Sequence, residues 1–222
     1  MTTVPLHVKQ GHLFVELEGE LWLHDTGSPG SFGNADRLLL AGQEFALERG
    51  FRGINAEDLF QMTGVRCCGL LGTDILARFD QVIDCVNGLW GLSSDSIAHG
   101  EVRVPISEIG GIPVLTAQVS GEDYRMFFDT GAQVSYFQSA SITTFPFVER
   151  AADFYPGYGR FETDVHRVAC SIGGRETTLL CGTLPPTLAG LLSQTGVHGI
   201  VGNELLLNRP LGYFPTQGVL FL

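Results

Sequence analysis

The sequence predicts an all-β fold in which two duplicated lobes form a pseudo-two-fold bilobal barrel. Three observations carry the prediction. Apolar runs broken by turn residues fill the 222-residue chain, whose 29 glycines and 10 prolines supply many tight turns, while helical signals are few and short. Residues 69–92 (GLLGTDILARFDQVIDCVNGLWGL) align without gaps to residues 199–222 (GIVGNELLLNRPLGYFPTQGVLFL), with Gly69, Gly72, Leu76, Gly88 and Leu92 matching Gly199, Gly202, Leu206, Gly218 and Leu222. Finally, Asp-Thr-Gly occurs twice, closing the apolar runs LWLHDTG (residues 21–27) and MFFDTG (residues 126–131).

The elements follow in the same order in both halves. A Val-Pro pair opens each, at Val4-Pro5 and Val104-Pro105. The run HLFVELEG (residues 12–19) alternates apolar and polar residues, as a half-buried strand does, and a Gly-Glu turn follows at Gly19-Glu20, matched by Gly121-Glu122. After each Asp-Thr-Gly comes a hairpin turning at glycine, over residues 37–47 in the first half and 166–180 in the second. Asn55 is placed to cap a short helix running to Met62. LFQMTGV (residues 59–65) parallels LLSQTGV (residues 191–197), and Thr73 and Asn203, each after a glycine, begin further short helices. These boundaries give an N-terminal lobe (residues 1–92), a polar linker (93–108) and a C-terminal lobe (109–222).

Charged residues make up 17% of the chain, and the net charge is −11. That balance argues against nucleic acid and anionic membranes as partners, because both carry the same sign and no basic run overrides it. No stretch is long and apolar enough to span a bilayer. The first residues, MTTVPLHVKQGH, lack the apolar core of a secretory signal, so a cytoplasmic protein with free thiols is expected. The five cysteines show neither a disulfide framework nor zinc-ligand spacing, and the histidines are dispersed. Neither a metal nor another cofactor is expected. His7 and His12 read as surface residues. No prosegment precedes Val4, so the protein is expected to be active as made.

Each residue of Asp-Thr-Gly has a physical job. A carboxylate at the end of a buried strand is held rigidly. The threonine can hydrogen-bond across to the other lobe, and the glycine offers its N–H to the carboxylate with no Cβ in the way. Two such turns meeting on a two-fold axis would bring Asp25 and Asp129 together, where like charges cannot both ionise and one proton is kept.

The full pattern is Asp25-Thr26-Gly27-Ser28 with Leu70-Leu71-Gly72, and Asp129-Thr130-Gly131-Ala132 with Ile200-Val201-Gly202. It resembles the retropepsin/pepsin class of aspartic proteases over nearly the whole chain, and looks like one chain carrying two retropepsin-like lobes of retroviral size. The resemblance implies an aspartic endopeptidase with Asp25 and Asp129 as catalytic dyad, in a family that is itself the standard example of a proton shared by two carboxylates. Thr26, Gly27, Thr130 and Gly131 would support the dyad. One aspartate would activate a water while the other protonates the substrate carbonyl. The implied partner is a peptide or protein substrate, and with both motifs in one chain a monomer is expected. The reading from another class is a non-catalytic peptide-binding or scaffold protein that keeps the cleft.

The halves are not equal. The interval from Asp129 to Arg167 is far longer than that from Asp25 to Arg37, and it holds FYPGYGRFETDV (residues 154–165). This glycine-rich, aromatic segment resembles the flap hairpin that covers substrate in the family; an ordinary surface loop is the alternative. On the flap reading Tyr158 sits near the tip between Gly157 and Gly159. Phe154, Tyr155 and Phe161 then line the cleft, and the first lobe, lacking a flap, leaves its side open. One residue departs from the family pattern. His24 stands where an apolar residue usually precedes the aspartate. Strand alternation points it away from Asp25. It is either a packed, hydrogen-bonded histidine or a charge that lowers the pair's apparent pKa.

Overall fold

The computed structural model describes residues 1–95, 100–138, 140–155 and 158–222. The fold is mostly β, as the turn-rich sequence predicts. Among the described residues there are two large sheets and two short hairpins. In the ten-stranded sheet, Asp80–Asp84 pairs antiparallel with Leu89–Ser93 on one side and with Leu211–Phe214 on the other. Val219–Phe221 and Arg103–Pro105 complete the second side. The first side continues through Thr2–Lys9, His12–Leu17, Glu20–His24, Gly69–Leu71 and Phe32–Gly33. Strands from both ends of the chain thus share one hydrogen-bonded sheet, which fixes the two halves against each other.

The eight-stranded sheet runs Ser107–Ile109, Ile112–Val119, Glu122–Phe128, Gly199–Val201, Ser135–Phe137, Arg175–Thr183, Gly159–Ile172, Phe147–Tyr155, and Ile112–Val119 pairs again with Gly159–Ile172. The stretch expected as a linker supplies one strand to each sheet, Arg103–Pro105 and Ser107–Ile109, while residues 96–99 lie outside the described residues. No helix among the described residues is long and apolar enough to cross a membrane.

Burial explains where the sequence pattern held and where it did not. One apolar cluster runs from Leu13, Phe79 and Trp90 to Phe128, Leu211 and Tyr213, so both halves bury side chains in common. Each large side chain taken fully out of water contributes about 1.5–3 kcal/mol. His12–Leu17 departs from simple alternation because Leu13, Phe14 and Val15 are all buried. Leu13 and Val15 face the main cluster, while Phe14 faces a second one with Leu23, Phe32, Leu59 and Leu70. The helix Ala56–Thr63 packs Leu59 into that second cluster. Asn55 caps it, accepting the Glu57 and Asp58 N–H groups while the Asp58 carboxylate accepts the Asn55 N–H. The helix Pro186–Gln194 has no counterpart in the sequence reading; it starts on a proline and buries Leu188 and Leu192.

Both Asp-Thr-Gly turns are set in the same local arrangement. Glu20–His24 runs parallel to Gly69–Leu71, whose other edge pairs with Phe32–Gly33. Glu122–Phe128 runs parallel to Gly199–Val201, whose other edge pairs with Ser135–Phe137. The glycines that match in sequence are demanded by this close approach. A Cβ on Gly72 would stand 2.7 Å from the Ser28 and Gly30 carbonyl oxygens, and one on Gly202 would stand 2.8 Å from the Ala132 carbonyl oxygen. Backbone carbonyls cannot swing aside as a flexible side chain can. Gly72→Ala and Gly202→Ala are therefore each expected to lose about 1–3 kcal/mol of stability through overpacking. Urea denaturation measures the loss, and unchanged midpoints would show that the loops have room to spare.

Candidate functional site

Asp25 and Asp129 end the Glu20–His24 and Glu122–Phe128 strands. Their backbone N–H groups donate to Leu71 at 3.0 Å and Val201 at 2.9 Å, continuing each parallel pairing by one residue. The next residue of each turn reaches across. Thr26 Oγ1 donates to the Phe128 carbonyl at 2.7 Å, and Thr130 Oγ1 lies 3.0 Å from the His24 carbonyl. Each hydroxyl oxygen also accepts the other threonine's backbone N–H at 3.0 Å. Both threonines are fully buried. The result is a reciprocal lock between the two turns, in which each unmade bond would leave a buried polar group at a cost of about 1–3 kcal/mol.

The lock brings the carboxylates together. Asp25 Oδ1 accepts the N–H groups of Gly27 at 2.8 Å and Ser28 at 3.1 Å, and Asp129 Oδ1 accepts those of Gly131 at 2.9 Å and Ala132 at 3.2 Å. A Cβ on Gly27 would lie 2.3 Å from the Asp129 carboxyl carbon, and one on Gly131 would lie 2.6 Å from that of Asp25. Each glycine is thus the surface against which the opposite carboxyl group rests. Burial, and then the Asp129 charge, hold Asp25 well above the ordinary carboxylate range. Asp129 is raised too, by burial, against the hydrogen bonds from Asp25, Gly131 and Ala132 that favour its ionised form. Two carboxyl groups so placed, both raised by burial, can share one proton. The pair therefore offers an acid and a base side by side.

Sequence reasoning passed over the residues that hold these turns from behind. Ser31 Oγ accepts the Gly72 N–H at 2.8 Å and donates to Asp74; Ser135 Oγ accepts the Gly202 N–H at 3.0 Å and donates to Glu204 at 2.8 Å. Glu204 also accepts the Leu180 N–H at 2.8 Å, yet burial pushes its pKa up to about 7. A signal existed: a serine at equal spacing after each aspartate, and an acid two residues past Gly72 and Gly202. The second turn is also tied to the first half. Asn203 Nδ2 donates to Gly11 at 2.8 Å and to Thr130 at 3.3 Å. His12, read from sequence as a surface residue, is half-buried, with Nδ1 donating to Gly131 at 3.1 Å and the Gln133 amide on its other nitrogen. His24 is fully buried and points away from Asp25, toward Thr130 and Gln81.

A cleft of about 590 Å³ is lined by both aspartates. Its first-half wall includes Leu23, Phe32, Phe51, Ile54 and Leu59, and its second-half wall includes Tyr136, Leu184, Leu191 and Ile200. The hairpin of Phe147–Tyr155 and Gly159–Ile172 adds Asp153, Phe154, Tyr155, Arg160 and Phe161. Of the aromatic residues singled out from sequence, Phe154, Tyr155 and Phe161 lie with the aspartates. Tyr158 is not in the lining; its ring meets Phe161 edge-on at 6.0 Å. Gly159 takes φ +98° at the turn, and Gly157 lies outside the described residues. Burial raises the Tyr155 pKa, the Asp129 and Asp25 charges add to the rise, and Arg52 opposes it, which sets Tyr155 among these groups. Arg160 Nη2 donates to the Gln61 carbonyl at 3.4 Å, so the hairpin reaches the helix on the opposite wall. The side expected to be open carries a short hairpin of its own, Gly50–Phe51 with Ile54–Asn55, which contributes Phe51, Arg52 and Ile54 to the lining. Asp153, a third carboxylate that sequence reasoning missed, accepts the Tyr136 hydroxyl. Among the described residues no three His, Cys, Asp or Glu side chains gather as a metal site.

No protein-family model matches the chain, and no curated protein matches it. Thr26→Val and Thr130→Val should each cost about 1–3 kcal/mol, the loss of buried hydrogen bonds. The double variant should cost less than the sum, because opening one side admits water to the bonds that remain on the other. Strict additivity in a denaturation cycle would show two independent contacts instead of one lock.

Proposed function

We propose that the chain is an aspartic endopeptidase of the retropepsin/pepsin class, with two retropepsin-like lobes in one chain related by a pseudo-two-fold axis. The observation that carries this reading is the meeting of Asp25 and Asp129 through a buried reciprocal threonine lock, on the floor of a cleft. The repeated arrangement of parallel strand, flanking strand, serine and acid around each turn supports the duplication. A pair of carboxyl groups kept partly protonated by burial and mutual charge is the kind of perturbed site that acid–base catalysis uses.

The chemistry follows from the shared proton. The ionised aspartate takes a proton from a water as its oxygen bonds to the substrate carbonyl carbon. The protonated aspartate gives its proton to the carbonyl oxygen. The aspartate that took the water's proton then gives it to the leaving nitrogen as the C–N bond breaks, the other takes a hydroxyl proton of the tetrahedral species as the carbonyl re-forms, and the pair returns to its starting state. The hairpin carrying Phe154, Tyr155 and Phe161 would cover an extended peptide, and the apolar walls would take its side chains. Arg52 on the first-half hairpin, with Arg160 and Asp153 on the long hairpin, would give the cleft an uneven charge that a substrate must match.

Asp25→Asn and Asp129→Asn should each lower cleavage of an unstructured protein by about 10³-fold or more while the fold persists, because each removes half of one acid–base unit. A peptidomimetic carrying a tetrahedral hydroxyl should inhibit the parent. Near-parental turnover in either variant would sink the assignment, and peptide binding without turnover in the parent would favour a scaffold role. The profile of kcat/KM should be bell-shaped. Both carboxyl pKa values are raised, so the shared proton, and with it activity, should persist at pH values above the ordinary carboxylate range. Specific activity should hold on dilution, since both aspartates lie in one chain; a fall that tracks dissociation in light scattering would contradict a monomeric enzyme.

A further inference from the structure

Behind the lock lies a buried polar chain. His24, Gln81, Trp90 and Thr130 are all fully shielded from solvent, with the Trp90 ring edge-on to the imidazole at 5.4 Å. Two neighbours orient Gln81: its Nε2 donates to the Leu76 carbonyl at 2.6 Å, and its Oε1 accepts the Trp90 indole N–H at 2.9 Å. The same oxygen faces His24 Nε2 at 3.0 Å. An amide oxygen cannot donate, so Nε2 carries a hydrogen. Reversing the amide would set donor against donor at Trp90 and acceptor against acceptor at Leu76.

The other ring nitrogen, Nδ1, faces Thr130 Oγ1 at 2.9 Å. That hydroxyl has one hydrogen and two claimants for it, Nδ1 and the His24 carbonyl at 3.0 Å, while it also accepts the Thr26 N–H. When His24 is neutral with its hydrogen on Nε2, Nδ1 is an acceptor, and the hydroxyl can serve the ring or the carbonyl but not both. When both ring nitrogens are protonated, Nδ1–H donates to Thr130 Oγ1, the hydroxyl hydrogen goes to the His24 carbonyl, and every group is satisfied. The matching position in the other half has no such conflict. Phe128 precedes Asp129, and a phenyl ring makes no claim on the Thr26 hydroxyl, which donates to the Phe128 carbonyl.

We propose that His24 is a positioning residue for the aspartate pair, because the proton on its Nδ1 decides whether the Thr130 hydroxyl completes the lock. The kinetic part of this inference rests on the protease reading; the link between His24 and the lock does not. Burial pushes the His24 pKa down to about 4, with Gln81 and the residue's own carbonyl opposing, so the charged form belongs to acid conditions. Several ionisable groups flank it. Asp25 and Asp129 lie on the cleft side, both raised by burial. On the strands packed behind are Asp80, held by Thr216 and Gln217, and Tyr213, whose pKa burial raises. An imidazolium at this place would also favour the ionised form of the aspartate pair.

The test reads ring and lock separately. In ¹⁵N-labelled wild-type protein, the His24 ring nitrogens report where the hydrogen sits, and the Thr26 and Thr130 amides report the lock. Near neutral pH the Nε2–H form is expected; on acidification Nδ1 should take up a proton and both amide signals should move with the same midpoint. An Nδ1–H form at neutral pH, or a His24 titration that leaves both amides still, overturns the proposal whether or not the chain cleaves anything. In Gln81→Met no oxygen opposes Nε2, so neutral His24 can carry its hydrogen on Nδ1 and the lock closes without acid. Between the acid optimum and neutral pH, kcat of this variant should fall about fivefold less than that of the parent, the worth of one hydrogen bond. KM should stay put. Parallel profiles overturn the proposal. A wild type that cleaves nothing removes the protease reading and leaves the ring and amide signals to decide the role of His24.

Discussion

Two threonine hydroxyls, each taking the other's backbone N–H across the boundary between the chain's halves, are the contact on which the site depends. Two carboxylates at contact distance repel, by an amount that grows as solvent is excluded. A shared proton removes most of that repulsion, and the lock supplies the geometry in which sharing is possible. Everything nearby serves the same approach. Gly27 and Gly131 leave room for the opposing carboxyl groups, and Gly72 and Gly202 let the loops close over their neighbours' carbonyls. The strand pairing of Asp80–Asp84 with Leu211–Phe214 keeps the halves in register, so the threonines meet without a search.

Burial acts on the titrating groups with opposite signs. Glu204 has its pKa raised from 4.5 to about 7, so the folded state binds a proton that the unfolded chain has already lost, and stability falls as pH rises through that window. His24 has its pKa lowered from 6.5 to about 4, so the unfolded chain binds a proton first, and stability falls as pH falls through that window. Asp25 and Asp129 act with Glu204, both being raised. The fold is therefore squeezed from both sides. The two costs are jointly smallest in the mildly acidic range between those values. Protonation of His24, which satisfies the lock, and retention of stability therefore pull in opposite directions below that range, because carboxyl groups and a histidine were taken out of water together.

Local chemistry was the most legible part of the sequence. Asn55 announced a capped helix, glycines announced the hairpins over residues 37–47 and 166–180, and the repeated Gly-x-x-Gly segments announced that the two aspartates have matching surroundings. These signals are short-range or repeat themselves. What stayed hidden depends on contacts between distant residues. Nothing in the spacing of His12 reveals that a hairpin turn carries it against Gly131. Asp153 reads as an ordinary strand acid until Tyr136 is found opposite it. The interval around residues 154–165 resembled a flap hairpin in the sequence, and of the aromatic rings named there Phe154, Tyr155 and Phe161 are in the cleft lining while Tyr158, placed at the tip, is not. Tyr158 leans on Phe161.

The departures from symmetry carry as much meaning as the repeats. A strictly two-fold pair of turns would treat its two carboxyl groups alike, and a proton shared between equal partners has no assigned donor. Here the surroundings differ on the two sides. The residue before Asp129 is Phe128, which contributes only packing, whereas the residue before Asp25 is a histidine wired through Gln81 to Trp90. The long hairpin comes from the second half alone and reaches across to Gln61, while the first half answers with a short hairpin bearing Arg52. Asp153 lies near Asp129 and adds to the forces that keep a proton on it. On the proposed reading, an acid and a base must be distinguishable at the moment a carbonyl and a water arrive. An exact duplicate could make that distinction only after substrate breaks the symmetry. Here the difference lies in the shell around the pair, while both turns keep Asp-Thr-Gly and the reciprocal threonine bonds that hold the two carboxyl groups together.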